Sequence, residues 1–141
     1  MRSVLDASVA VKWVLPEPDT DKALRLRDAY RQGQDELIAP DWILAEVANI
    51  LGKAAARKTI TIVEAKQYYQ DVSKDAPVLF PTVPLLDDAF DLALTYRRAV
   101  YDCLYLALAL QEKCQLVTAD DAFVRQFQPV YPFVIALSSM P

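Results

Sequence analysis

Short apolar runs alternate with longer amphipathic segments along the whole chain. The short runs predict strands over 2–6, 36–40, 78–83, 115–118 and 131–137. The segments between them predict helices over 8–15, 19–33, 41–58, 61–76, 84–99 and 99–110, and a last one begun by Asp120 or Asp121. Strands that alternate with helices are typical of an α/β fold with a mainly parallel sheet. A length of 141 residues predicts one domain, 1–141.

Two local signals refine these elements. Thr61 is followed by Glu64 three residues later, which predicts a capping box at the start of the helix over 61–76. Pro81 has no backbone N–H to donate, so the strand over 78–83 is predicted to lie at a sheet edge or to end there.

Composition and charge narrow the class of protein. The chain is 54% hydrophobic with no apolar run near the ~18–20 residues that span a bilayer, and it starts without a signal-peptide pattern. We therefore expect a cytoplasmic protein that is not in a membrane. A net charge of −4 gives no basic footprint for nucleic acid at the level of the whole chain. Because there is no histidine, an enzyme here would rely on carboxylates, hydroxyls, lysine or a metal.

Two acidic residues come directly after predicted strands. Asp6 follows the first strand and Asp120 follows "QLVT", and sites in parallel α/β sheets lie beyond the carboxyl ends of strands. Asp102 stands at the entrance of a helix that is uncharged from Cys103 to Leu110. We expect a right-handed crossover to start that helix at the opposite end of the sheet from Asp120. Topology alone therefore does not bring Asp102 to the same site.

A fourth acid lies on the helix over 41–58. Glu46, Asn49, Lys53 and Arg57 form one polar stripe on this otherwise apolar helix. The stripe has two interpretations. It is either an ordinary solvent-exposed face, or it places Glu46 at a cleft and the basic residues Lys53 and Arg57 against a phosphate-bearing ligand. Structural roles also exist for the other acids, because Asp is a common helix N-cap. Asp6, Asp102 and Asp120 each fit that role.

Four ordered motifs resemble one known family. "VLDASVAVKW", "PDWILAEVANIL", "VYDCLYLALAL" and "LVTADDAF" resemble PIN-domain ribonucleases, particularly VapC-like toxins of bacterial toxin–antitoxin pairs. The resemblance implies a three-layer α/β/α fold with a mainly parallel central sheet. It further implies an acidic pocket that holds Mg²⁺ or Mn²⁺ and is formed by Asp6, Glu46, Asp102 and Asp120. Ser8 and Thr118 are expected to support the pocket, and Asp121 is a supporting group or an alternative to Asp120.

The function implied by this resemblance is metal-assisted hydrolysis of RNA. Carboxylate oxygens suit Mg²⁺ and Mn²⁺, which activate water and relieve charge on the phosphate. The expected partners are an RNA substrate, a cognate antitoxin and a second copy in a homodimer. Candidate contacts to the RNA backbone are Lys53, Arg57, Arg97 and Arg98, each of which also fits an ordinary surface charge. The alternatives are a PIN-like nuclease outside any toxin pair and a non-catalytic α/β binding or regulatory module.

Overall fold

A central parallel sheet organises the molecule. The computed structural model describes residues 1–141 and contains five strands, all paired in parallel, in the order β3-β2-β1-β4-β5. These strands are β1 (Arg2–Leu5), β2 (Glu36–Pro40), β3 (Val78–Phe80), β4 (Gln115–Thr118) and β5 (Val134–Ala136). The first strand of the chain is thus the middle strand of the sheet. Asp6, the residue directly after β1, therefore lies at the centre of the carboxyl edge of the sheet.

Seven α-helices accompany the sheet, as expected for the three-layer α/β/α fold. They are α1 (Ala7–Ala10), α2 (Thr20–Arg31), α3 (Trp42–Ala56), α4 (Ile62–Lys74), α5 (Leu86–Tyr96), α6 (Val100–Glu112) and α7 (Asp121–Phe127). The predicted α/β class with a parallel sheet is confirmed. None of the helices is long and apolar enough to cross a membrane.

The core forms where the apolar strands meet the uncharged helix. In α6, every residue from Cys103 to Ala109 is buried, which confirms that this helix is enclosed on most faces. It packs against β1, β2 and β4, whose interior residues are also buried. Burial of this stretch fixes where α6, and therefore its first turn, lies on the sheet. Asp102 lies in that turn.

Several predicted boundaries change for identifiable reasons. The strand over 78–83 stops at Phe80, because Pro81 cannot donate to a ladder, and β3 is an edge strand of the sheet. The helix over 8–15 is only α1 followed by a 3₁₀ turn at Val11–Trp13. The capping box of Thr61 and Glu64 is present as predicted.

A left-handed residue separates α5 from α6. The predicted helix over 84–99 begins as a 3₁₀ turn at Val83–Leu85 and ends at Tyr96, because Arg97 has a positive φ of 53°. A residue in this conformation commonly terminates a helix, although Gly is the usual choice. The turn lets α6 start at Val100, so Arg98 lies between the two helices.

Candidate active site

Asp6 is held by two hydroxyl groups at the end of the central strand. Its Oδ2 accepts hydrogen bonds from Ser8 Oγ at 2.5 Å and from Thr118 Oγ1 at 2.9 Å. Asp6 occupies the N-cap position of α1, but its side chain makes no capping bond. The two hydroxyls also accept from the backbone N–H groups of Ala119 and Asp120, at 3.0 and 3.1 Å. They therefore tie the Asp6 carboxylate to the segment directly after β4.

Asp102 is not the N-cap of its helix. The cap position of α6 belongs to Ala99, whose backbone angles (φ −55°, ψ 136°) are not helical, and Asp102 lies in the first helical turn. The N-cap interpretation of Asp102 is therefore wrong. Its Oδ2 instead accepts a hydrogen bond from Arg98 Nε at 2.8 Å.

The expected position of α6 relative to Asp120 is also wrong. The Arg98 guanidinium donates to Asp102 and, through Nη2 at 2.8 Å, to Asp120 Oδ2, so both carboxylates lie at the same edge of the sheet. The reason is the direction of the chain. To enter β4 parallel to its neighbours, the chain must return to the amino edge, so α6 begins at the carboxyl edge.

Asp120 and Asp121 have different surroundings. Asp120 is the N-cap of α7, where its Oδ1 accepts from the backbone N–H of Phe123 at 3.0 Å while its Oδ2 meets Arg98. Asp121 is exposed in the first turn of the same helix. The geometry therefore connects Asp120, rather than Asp121, to the other acids. A cap and a site ligand are compatible roles, since each uses a different carboxylate oxygen.

Glu46 meets the same site from α3. The hydroxyl of Tyr105, a buried residue of α6, donates to Glu46 Oε2. Burial, together with the negative charges of Asp6, Asp102 and Asp120, raises the pKa of Glu46 to about 7, although the Tyr105 hydrogen bond opposes the shift. Glu46 thus differs from the rest of its stripe, since Lys53 and Arg57 are exposed.

The charges of the four acids act on one another. Burial raises the pKa of Asp6, and the negative charges of Asp102 and Asp120 raise it further against the hydrogen bonds from Ser8 and Thr118. Such mutual repulsion requires carboxylates that face a common region with little water between them. Asp6, Glu46, Asp102 and Asp120 thus form one electrostatically linked site, hereafter the acidic site.

Arg98 and Tyr105 have roles at the acidic site that sequence reasoning did not assign. Arg98 is a candidate RNA contact in sequence, yet its side chain is only 18% exposed and is bonded within the site. Tyr105 has the pattern of a core residue, and only its hydroxyl reveals a further role. The sequence did contain a signal for the contact between Arg98 and Asp102. The two residues are four positions apart near a helix start, and side chains at that spacing are neighbours. Arg97 is exposed, as expected of a surface charge.

The donor chemistry of the acidic site fits a hard divalent cation. Its side chains offer carboxylate oxygens, the ligands that Mg²⁺ and Mn²⁺ prefer. Burial is the main cause of the raised pKa values of Asp6 and Glu46, and repulsion from the neighbouring acids adds to it. A cation would relieve that repulsion. As the side chains stand, no group of three or more Asp, Glu or Cys residues is arranged to hold a metal ion. Arg98 supplies the positive charge beside Asp102 and Asp120 instead.

Comparisons with known proteins identify the family. The PIN domain model matches residues 3–126, so the chain belongs to the PIN-domain family. Ribonuclease VapC3 from Pyrobaculum aerophilum is 34% identical over 129 residues, which cover 90% of this chain and 95% of that relative. The resemblance seen in the four motifs is confirmed.

Solved structures have the same fold. The crystal structure of PAE2754 from Pyrobaculum aerophilum matches with a TM-score of 0.72 at 19% identity, covering 99% of this chain and 94% of the other. A chain of VapBC2 from Rickettsia felis, crystallised with a DNA fragment from their promoter, matches with a TM-score of 0.64 at 17% identity. That match covers 96% of this chain and 97% of the other.

Removing the Tyr105 hydroxyl is expected to raise the pKa of Glu46 above about 7, because that hydrogen bond stabilises the ionised carboxylate. NMR titration of the Glu46 side-chain carboxyl carbon in Tyr105→Phe, without divalent metal, measures the change. Tyr101→Phe is the matched control, since Tyr101 is exposed and stacks on Trp42. A Glu46 pKa that is unchanged or lower in Tyr105→Phe would contradict the assigned hydrogen bond.

Proposed function

We propose that this protein is a metal-dependent endoribonuclease and the toxin of a toxin–antitoxin pair. The observation that carries the proposal is the acidic site, in which carboxylates from four separate segments act on one another at the carboxyl edge of the sheet. Membership of the PIN-domain family and the likeness to a protein named as a ribonuclease support RNA as the substrate. We expect the enzyme to act in the cytoplasm.

The proposed metal ligands are Asp6 and Asp102, with Glu46 and Asp120 completing the set directly or through water. A bound Mg²⁺ or Mn²⁺ supplies activation of water and relief of negative charge on the phosphate. Ser8 and Thr118 orient the Asp6 carboxylate, because both hydroxyls donate to the same oxygen, Oδ2. The Tyr105 hydroxyl, which donates to Glu46 Oε2, orients the Glu46 carboxylate.

Glu46 must lose its proton to serve as a metal ligand. With a pKa of about 7, it carries a proton in part of the molecules at neutral pH. Metal binding would favour the ionised form, because a cation stabilises a nearby carboxylate. The buried environment of Glu46 thus couples metal binding to the release of a proton.

Substrate contacts are proposed for exposed basic residues near the acidic site. Lys53 lies on α3 and Arg57 caps its carboxyl end. With a rise of about 1.5 Å per residue, they are about 10 and 16 Å from Glu46 along the helix axis. That row extends over the length of a few nucleotides. Arg97, exposed at the end of α5, is a further candidate. Such contacts hold a phosphate backbone without reading its sequence.

A protein partner is proposed because apolar residues are exposed beside the acidic site. Leu86, Phe90 and Leu94 lie along one face of α5 and are 39%, 57% and 64% exposed. They line a groove of about 560 Å³ that also includes Arg98. A segment of a cognate antitoxin seated in this groove would contact Arg98, which is bonded to Asp102 and Asp120. We also expect the chain to form a homodimer.

Cleavage of RNA by the purified chain, freed of any copurified partner, tests the proposed function. We expect cleavage with Mn²⁺ or Mg²⁺, none in EDTA, and recovery when Mn²⁺ is added in excess, because the bound metal is proposed to activate the attacking water. Gel analysis of a labelled single-stranded RNA, with a DNA of the same sequence in parallel, gives the readout.

Asp6→Asn, purified in the same way, controls for a contaminating nuclease. Cleavage that persists in EDTA would contradict the metal dependence, and cleavage of the DNA alone would contradict RNA as the substrate. A protein that binds Mn²⁺ but cleaves neither would favour a non-catalytic module.

A further inference from the structure

Arg98 contacts two of the proposed metal ligands at once. Its Nε donates to Asp102 Oδ2 and its Nη2 donates to Asp120 Oδ2, each at 2.8 Å. The planar guanidinium suits this arrangement, because its donors diverge in fixed directions and reach two acceptors without strain. The side chain is 18% exposed, against 27% for Asp102 and 39% for Asp120.

Other contacts hold the guanidinium in this position. Its Nη1 donates to Gln126 Oε1 at 3.3 Å, and Gln126 in turn donates to the backbone carbonyl of Tyr96 at 2.7 Å. The guanidinium carbon lies 5.4 Å from the centre of the Phe123 ring, within range of a cation–π contact. Arg98 is therefore supported by α5 and α7 as well as by the two carboxylates. The fold itself therefore fixes the position of the guanidinium.

A divalent cation at the acidic site would bind the same two carboxylates that Arg98 already contacts. The guanidinium is bonded to one oxygen of Asp102 and one of Asp120, the side chains that would have to turn toward a metal. A positive guanidinium and a divalent cation at the same two carboxylates repel each other, most strongly where water is partly excluded. The two cations are thus alternatives for the same negative charge.

We propose that Arg98 is an internal counter-cation that competes with the divalent metal for Asp102 and Asp120, and that metal loading displaces its guanidinium. The inference rests on the proposed metal-dependent function. In the metal-free protein, Arg98 stabilises two acids that would otherwise repel each other and Asp6. During metal loading, the same contacts lower the affinity, because they must break first. Arg98 therefore sets the metal concentration at which the acidic site fills.

Titration with Mn²⁺ alone, followed by calorimetry, tests the competition. We expect Arg98→Gln to bind Mn²⁺ roughly tenfold more tightly than the unmodified protein, because two charge-assisted hydrogen bonds no longer oppose binding. Arg98→Lys keeps the positive charge but lacks the two diverging N–H donors of the guanidinium, so an intermediate affinity is expected. Arg125→Gln removes the same charge from an exposed position on α7 and is expected to bind as the unmodified protein does.

Thermal unfolding provides a second readout that does not depend on catalysis. In EDTA, Arg98→Gln should melt below the unmodified protein, and the difference should shrink or reverse with saturating Mn²⁺. If Arg98→Gln binds Mn²⁺ equally or more weakly, competition by Arg98 is refuted while the metal site stands. If neither protein binds Mn²⁺, both the metal site and the competition are refuted.

Discussion

Asp102→Asn is expected to lower the rate of RNA cleavage by about a thousandfold or more, equivalent to about 4 kcal/mol of transition-state stabilisation. The substitution removes a negative charge from the acidic site and replaces a strong metal ligand with a weak one. It preserves the shape of the side chain, and the amide oxygen can still accept from Arg98 Nε. The fold is therefore expected to remain, because the buried part of α6 begins at Cys103.

Single-turnover cleavage of a labelled RNA in Mn²⁺ measures this loss, with circular dichroism as the check on folding. Asp91→Asn is the matched control, since Asp91 is exposed on α5 and lies outside the acidic site. It should cleave at nearly the rate of the unmodified protein. An Asp102→Asn protein that is folded and cleaves within tenfold of that rate would refute Asp102 as a ligand.

Glu46→Gln is expected to stabilise the metal-free protein at high pH while reducing cleavage by about a hundredfold. The pKa of Glu46 is raised to about 7 from its ordinary value of 4.5, so the folded protein retains a proton that the unfolded chain releases. The contribution of Glu46 to the free energy of unfolding is therefore fully present below about pH 4.5, and it is lost as the pH rises through about 7. Gln cannot ionise, so the variant avoids this loss. The expected gain at pH 8 is about 1–3 kcal/mol, allowing for partial contact with water.

Urea unfolding in EDTA at several pH values measures this gain. The difference in unfolding free energy between Glu46→Gln and the unmodified protein should be small at pH 4.5 and grow toward pH 8. Glu64→Gln is a control of opposite sign, because hydrogen bonds at the Thr61 cap lower the pKa of Glu64. That variant should be less stable than the unmodified protein throughout this range. A Glu46→Gln protein that is less stable at pH 8 would contradict the raised pKa of Glu46 that burial and the neighbouring acids produce.

These effects together describe a site that trades stability for function. Burial and neighbouring negative charges raise the pKa of Asp6 and of Glu46. Arg98 places a positive charge against Asp102 and Asp120. Burial opposes the charge of Arg98, but the two hydrogen-bonded acids outweigh it and raise its pKa. The residue therefore stays protonated throughout the range of about pH 4.5 to 8 considered above. Its effect on the site is a matter of geometry rather than of titration.

The sequence alone predicted most elements but not the contacts that define the site. Alternation of apolar runs with amphipathic segments predicts the strands and helices, because burial of one face imposes a period on the chain. The position of Asp6 and Asp120 after strands comes from the same pattern. The family resemblance alone predicts Ser8 beside Asp6 and Thr118 beside Asp120. In the structure, both hydroxyls donate to Asp6 Oδ2.

Contacts between distant residues depend on the packed structure. The direction of α6, which topology alone predicted wrongly, places Asp102 at the same carboxyl edge of the sheet as Asp120. Tyr105 has the apolar spacing of a core residue, so its bond to Glu46 is visible only when α3 and α6 are packed. Arg98 resembles a surface charge in sequence, yet the left-handed turn at Arg97 directs it inward. The α/β class and the elements could thus be read from the chain, because they depend on local periodicity. The grouping of the four acids in one pocket was implied by the family resemblance. Pairings between side chains far apart in the chain depend on packing and turn geometry, and they are visible only in the folded protein.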